Sequence, residues 1–588
     1  MFSPRYVANL VLTLALVCDG PFVFAQQAPP PFTQIIVFGD SFSDTGNVRH
    51  RANAASGGEV DYPSHSFNYS DGRFTNDNGT VPSSTLYAGL WHEQLAQAFL
   101  SLPPASYSLG GGTNYAFGGA TTKDGTRDVI IITTPSFGDL TITIDDMGKQ
   151  MDDYLAAHAA DPNALYIVWG GINDLLADFS DASVAATAAR VTALVSRLTQ
   201  AGAQHIMVPN LPPLGNVPAF SGVEPMIQPL NAACANYRIE LNADLAAMLS
   251  ALAPQGSTPT VYRVDLWTNT IRLLSNPGNY GFTDIRSSSQ GDSSVNPDHF
   301  LFWDGLHFTT AGHYWTAKGT NDALTIPAIP FARALNISTR VSVGTGERVS
   351  IAGFIITGAV PKKILIRGIG PSLAANGVPN PLPDPVLALF DGAGKQVRLN
   401  NNWRDSQPDE IAATGLAPQD NLESAIVATL SEGHFTAVLT GNNGVTGNGL
   451  VEIYDLEPGT GATLANLSTR GFVGAGDNAM IAGIIIGDGD SPIVVLRALG
   501  PTLANAGIAN PLLDPTIELH NNNGALIGFN DNWKDSQMQA VNATVLAPAY
   551  EQEAAIVAPS LTSGNYTAVV RGKDNTTGVA LVEAYRIP

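Results

Sequence analysis

The chain has 588 residues, of which 44% are hydrophobic and 14% charged, and carries a formal net charge of −22. A single core stops growing at about 250–300 residues, so this length calls for roughly two to four domains, and the apolar content is well above that of a disordered chain. The acidic balance excludes the basic face that a nucleic-acid partner needs and offers no polybasic patch for anionic lipid.

At the N-terminus, Arg5, the apolar run from Val7 to Val17, and Val23-Phe24-Ala25 before Gln26-Gln27 read as an export signal over residues 1–25. A secreted or periplasmic protein is therefore expected. Cys18 lies within that segment, which leaves Cys234 alone in the mature chain and rules out an internal disulfide. No later apolar run is long enough to suggest a transmembrane segment.

Residues 32–325 alternate between strand and helix. Residues 35–38, 165–169, 205–208 and 260–264 are short β-branched runs of the type buried in a parallel sheet. The clearest helix places Val184, Val191, Leu194, Val195 and Leu198 on one face, opens on acid and serine near Asp181 and stops at Gly202. This predicts an α/β fold, a doubly wound parallel sheet. Residues 49–84, rich in Asn, Gly, Ser and Tyr and without periodicity, read as a surface insertion near the active site. Together with Leu211-Pro212-Pro213-Leu214-Gly215 they are expected to shape a substrate cleft.

The first strand runs into Gly39-Asp40-Ser41 and so presents one hydroxyl at the carboxyl end of the sheet, where α/β proteins keep their sites. Three further blocks follow in order: Asn114-Tyr115-Ala116-Phe117-Gly118-Gly119-Ala120, Trp169-Gly170-Gly171-Ile172-Asn173-Asp174 and Phe302-Trp303-Asp304-Gly305-Leu306-His307. As a set they resemble the GDSL lipase/esterase family, or SGNH hydrolases, most closely its bacterial lipase, phospholipase and haemolysin branch. The resemblance implies that Ser41, Gly119, Asn173 and His307 are the key residues and that Asp304 completes a triad. One departure is Phe308, where many members of the family carry proline.

The chemistry agrees with those assignments. A serine hydroxyl needs a neighbouring base, and imidazole suits that role. Asp304, three residues before His307, can reach Nδ1 and leave Nε2 free to take the Ser41 proton. The oxyanion of a tetrahedral intermediate needs fixed donors, and the expected oxyanion hole comprises the amides of Ser41 and Gly119 and the side chain of Asn173. Asp40, Asp44 and Asp174 read instead as turn residues. His313 reads as ordering the following helix, and His65, His92, His205 and His299 as surface or packing residues.

Beyond residue 327 the sequence repeats itself. Arg340 and Arg470, Arg367 and Arg497, and Trp403 and Trp533 recur at a constant interval of 130 residues, which marks a tandem duplication. Val, Ile and Thr runs broken by Gly, Asn and Pro predict two all-β sandwich modules, over residues 335–457 and 465–588. Their candidate uses are binding of a glycan or cell-surface ligand, with Trp403 and Trp533 as sugar platforms or as core residues, or plain spacing. The Asn/Asp clusters at 400–405 and 530–535 resemble turns more than calcium loops.

The reading that follows is an exported serine ester hydrolase acting on a small-molecule or lipid ester, with no metal or other cofactor implied. The alternatives are an acetylesterase acting on acetylated polysaccharide and a non-catalytic surface-binding or adhesive protein.

Overall fold

The computed structural model describes residues 31–77, 87–134, 138–255, 258–326, 333–489 and 491–587, so the expected export signal lies outside the described residues. The chain divides into two compact units, one within residues 22–328 and the other within 329–588.

In the N-terminal unit, β1 (Ile35–Gly39), β2 (Leu165–Trp169), β3 (His205–Pro209) and β4 (Thr260–Val264) form a parallel sheet in that order. Every residue of β1 and β2 is buried, as continuous apolar runs require when helices cover both faces of a sheet. The expectation of burial fails for β4, where only Val264 is buried, because an edge strand has one side without a neighbour. The main helices are α1 (Asn47–Ser56), α2 (Met147–Ala157), α3 (Ile172–Ala177), α4 (Asp181–Gln200), α5 (Glu224–Leu252), α6 (Leu266–Ser275) and α7 (Thr310–Thr325). Helix α4 follows its sequence pattern: Ser180 caps it by accepting from the Ser183 amide, and Val184, Val191, Leu194, Val195 and Leu198 are all buried. Gly202 beyond it has a φ of 104°, a left-handed geometry that favours glycine.

On the outer side of β1, residues 113–117 run alongside the strand. The Val37 amide donates to Thr113 at 3.1 Å, and the Tyr115 and Phe117 amides donate to Val37 and Gly39 at 2.8 and 3.2 Å. This edge segment is too irregular to read as a strand from sequence, yet it carries Gly118 and Gly119 to the carboxyl end of β1.

The C-terminal unit is antiparallel β throughout its 16-stranded sheet. Its two repeats are interleaved rather than side by side. Strand β5 (Ala334–Val343) pairs with β7 (Gly447–Asp455) of its own repeat and with β9 (Met480–Ile486) of the other. Strand β8 (Thr463–Val473) pairs in the same way with β10 (Gly578–Ile587) and, across the repeat boundary, with β6 (Ser350–Thr357). The equivalent residues Thr339 and Thr469 meet where the exchanged strands cross, with their Oγ1 atoms 2.9 Å apart. One apolar core draws Ile337, Ile366 and Leu439 from the first repeat and Leu467, Leu496 and Val570 from the second. Two sequence repeats thus share a single core, because each first strand satisfies its backbone partly in the other copy.

Candidate active site

The turn after β1 is built by two buried aspartates. The backbone carbonyl of Asp40 accepts from the Ser43 and Asp44 amides, each at 3.0 Å, and its Oδ1 accepts from the Phe42 amide at 3.1 Å. Asp44 Oδ1 accepts from the Gly46 and Asn47 amides at 2.7 Å, and its Oδ2 from Val48 at 3.1 Å and Gly118 at 2.9 Å. One carboxylate therefore closes the turn, caps α1 and fastens the 118 loop to the serine turn. Burial, opposed by these amides, pushes the Asp44 carboxyl up to about 6. Burial likewise pushes Asp40 up to about 7, and its Oδ2 has no hydrogen-bond partner among the described residues.

Ser41 stands on this turn. His307, on the loop before α7, places Nε2 2.8 Å from Ser41 Oγ, and its Nδ1 lies 2.8 Å from Asp304 Oδ2. Asp304 Oδ1 accepts from the Leu306 and His307 amides, each at 2.7 Å. Both side chains are buried. Burial alone would raise the Asp304 carboxyl, but the His307 charge and hydrogen bonds outweigh it and hold the group below the ordinary carboxylate range. The imidazole packs against the rings of Phe74 and Phe42 at 5.0 and 5.2 Å.

The proposed oxyanion donors come from three elements. The Ser41 and Gly119 amides donate to no protein group among the described residues. Gly119 has a φ of 85°, which an L side chain rarely adopts. Asn173, at the start of α3, donates from Nδ2 to the Ala120 carbonyl at 2.9 Å, and an amide carries a second N–H. Asp174 beside it accepts from the Thr122 amide at 2.8 Å, from Thr122 Oγ1 at 3.0 Å and from Arg190 Nη2 at 2.9 Å, which ties the 119–122 loop to α3 and α4. Pro212, Pro213 and Leu214 pack with Phe42, Leu306 and Phe308 around a small apolar void, next to the chain neighbours of Ser41 and His307.

The remaining histidines separate by environment. His313 is fully buried, its ring nitrogens have no partner among the described residues, and burial pushes it down to about 3. It is a neutral packing group against Phe42 and Phe308. His92 is buried against the Ser43 carbonyl at 3.0 Å, and His65 is exposed beside Asp61. Among the described residues, no group of three or more His, Cys, Asp or Glu could hold a metal ion.

Sequence reasoning missed Tyr69, whose hydroxyl donates to Asp304 Oδ2 at 2.8 Å, and Gln150, which grips both the amide and the carbonyl of Gly39 at 2.9 Å. Neither lies at a telling distance from a motif. The only signal for Tyr69 was its place in the aperiodic insertion.

The family model for GDSL-like lipase/acylhydrolase matches residues 35–320. The N-terminal unit is a GDSL-like lipase/acylhydrolase domain. An uncharacterized protein from the trpE-trpG intergenic region of Pseudomonas putida is 30% identical over 54% of this chain and 52% of its own length. A phosphatidylcholine-sterol acyltransferase of Aeromonas hydrophila is 27% identical over 46% of this chain and 70% of its own. The chain thus spans only about half the length of the first of these relatives. A solved G-D-S-L family lipolytic protein from Veillonella parvula aligns with 49% of this chain and 94% of its own at 14% identity, with a TM-score of 0.24.

In the C-terminal unit, Trp403 and Trp533 are only 4% and 5% exposed. Trp403 packs among Leu365, Ile411 and Val427, so these indoles are core residues and not sugar platforms. Asn400 and Asn530 each accept from a strand amide, Ala425 and Ala555, at 2.9 Å and donate back into their own turns. The Asn/Asp clusters are built as turns. Arg367 and Arg497 lie over Tyr454 and Tyr585 and pair with Glu452 and Glu583.

Proposed function

We propose that the GDSL domain is a carboxylic ester hydrolase that works through an acyl-enzyme on Ser41. His307 Nε2 takes the hydroxyl proton as Ser41 Oγ attacks the ester carbonyl, and Asp304 holds the imidazole in the required tautomer and opposes the imidazolium charge. The amides of Ser41 and Gly119 and the Asn173 side chain receive the oxyanion. His307 then returns the proton to the departing alkoxide. In the second half, water loses a proton to His307, attacks the acyl carbon and releases the acid, and Ser41 recovers its hydrogen. The observation that carries this reading is the continuous chain from Ser41 Oγ through His307 to Asp304, with both links at 2.8 Å.

A lipid or fatty-acyl ester is the preferred substrate class. It is supported by the phosphatidylcholine-sterol acyltransferase among the relatives. Action after export is supported by the apolar N-terminal sequence. No helix among the described residues is long and apolar enough to cross a membrane. The C-terminal unit is assigned a surface-attachment or spacing role.

The test is hydrolysis of nitrophenyl esters of rising acyl length by the full chain beside Ser41→Ala. Activity that favours medium or long chains and vanishes in the variant supports the proposal. A preference for acetate transfers it to acetylated polysaccharide, and equal rates for the two proteins leave only a binding role.

A further inference from the structure

The segment from Asp61 to Asp77, read from sequence as a surface insertion, lies directly across the triad. Residues 69–76 fold back on themselves through the Tyr69–Asn76 bridge and the Ser70 amide to the Thr75 carbonyl at 2.9 Å. The hairpin is sewn to the loop that carries His307. Thr75 Oγ1 donates to the Phe308 carbonyl at 3.0 Å, Asn76 Oδ1 accepts from the Thr310 amide at 2.8 Å, and Asn76 Nδ2 reaches Thr310 Oγ1 at 3.2 Å. Its other side is held by Arg49 of α1, which pairs with Asp61 and Asp71. Between these anchors it offers two side chains to the triad: Phe74 against the imidazole and Tyr69 against the acid.

Building on the hydrolase reading above, we propose that Tyr69 is a positioning residue of the triad, a fixed donor that sets the strength of the Asp304–His307 contact. Its hydroxyl donates to Oδ2, the same oxygen that holds His307 Nδ1. The phenol ring is fixed by edge contacts to Trp303 at 6.1 Å and Phe74 at 6.4 Å. Burial first, and the nearby Asp304 charge second, hold the phenol far above its ordinary range, so it stays a donor at every working pH. Asp304 therefore has no oxygen to spare. Oδ1 is occupied by two amides and Oδ2 by imidazole and phenol, so the carboxylate can neither rotate nor pair elsewhere. The phenol also draws charge from Oδ2. A carboxylate relieved of that donor opposes an imidazolium more strongly, and the protonated base persists to higher pH.

The experiment uses the full chain, with Tyr69→Phe, which keeps the ring, compared with wild type and Ser41→Ala on one soluble nitrophenyl ester across pH. The expected result is kcat lower by about threefold to tenfold with KM little changed, and an acid limb of kcat/KM moved upward by about 0.3 to 1 pH unit. The downfield proton resonance of the His307–Asp304 hydrogen bond should move with it, a readout that a packing defect elsewhere would not shift. An acid limb and a proton resonance that both superimpose on wild type overturn the assignment of Tyr69 while Ser41→Ala is inactive. Activity retained by Ser41→Ala overturns the hydrolase reading and this inference together.

Discussion

Replacing Asp304 by asparagine should disable the site through a tautomer rather than through lost packing. Asp304 accepts hydrogen bonds on both oxygens, from the Leu306 and His307 amides on Oδ1 and from His307 Nδ1 and the Tyr69 hydroxyl on Oδ2. Asparagine has one acceptor oxygen. If it stays with the two backbone amides, its NH2 faces Nδ1–H and the phenol, donor against donor. Turning the amide over moves the clash to the backbone amides instead. The cheapest relief shifts the imidazole proton to Nε2, where it points at Ser41 Oγ 2.8 Å away and leaves no base. The analogous change in a serine protease lowers kcat by about 10⁴, which corresponds to about 5 kcal/mol of barrier. We expect a loss of that order for Asp304→Asn in nitrophenyl ester hydrolysis at neutral pH, with a cooperative thermal melt showing that the fold persists. A kcat within about tenfold of wild type would refute the argument, because it would mean that His307 keeps its working tautomer without the carboxylate.

Two further outcomes follow from the same geometry. On the proposed reading Asn173→Ala removes one oxyanion donor, each worth about 2.7–4 kcal/mol, so kcat should fall by roughly a hundredfold or more; near-normal turnover in a folded variant removes Asn173 from the site. Asp40 is raised by burial from 3.8 to about 7, so the folded state holds this proton more tightly than the unfolded one. Its contribution to stability is complete below about pH 3.8 and is lost as pH rises toward 7. Asp40→Asn does not titrate, and its denaturant-derived stability should fall less steeply than that of wild type between those limits, by on the order of a few kcal/mol in total. Parallel curves for the two proteins would show that Asp40 ionises freely in the fold.

Exchange of the first strands in the C-terminal unit changes what the duplication means. A lone repeat would leave β6 without β8, and β5 without β9, exposing backbone groups that the second copy now satisfies. Two of the recurring pairs are accounted for by this architecture. Arg367 and Arg497 pair with glutamates over tyrosine rings, and Trp403 and Trp533 are core. No ligand is needed to explain why these residues recur.

Local patterns determined much of this protein. Buried parallel strands announce themselves as continuous apolar runs, α4 by its apolar spacing, and the Asp304–His307 pair by a separation that one turn of chain can bridge. These are short-range consequences of side-chain period and reach, and they survive without any knowledge of the fold. Distant contacts were decided only by tertiary structure. Nothing in the composition of residues 61–77 marks Tyr69 as the partner of a carboxylate 235 positions away, because a hydrogen bond between remote segments leaves no trace in local spacing. The same holds for the repeats. Their sequence shows a duplication, but which copy a first strand pairs with depends on how two equivalent backbones share one core, and that choice exists only once the chain has folded.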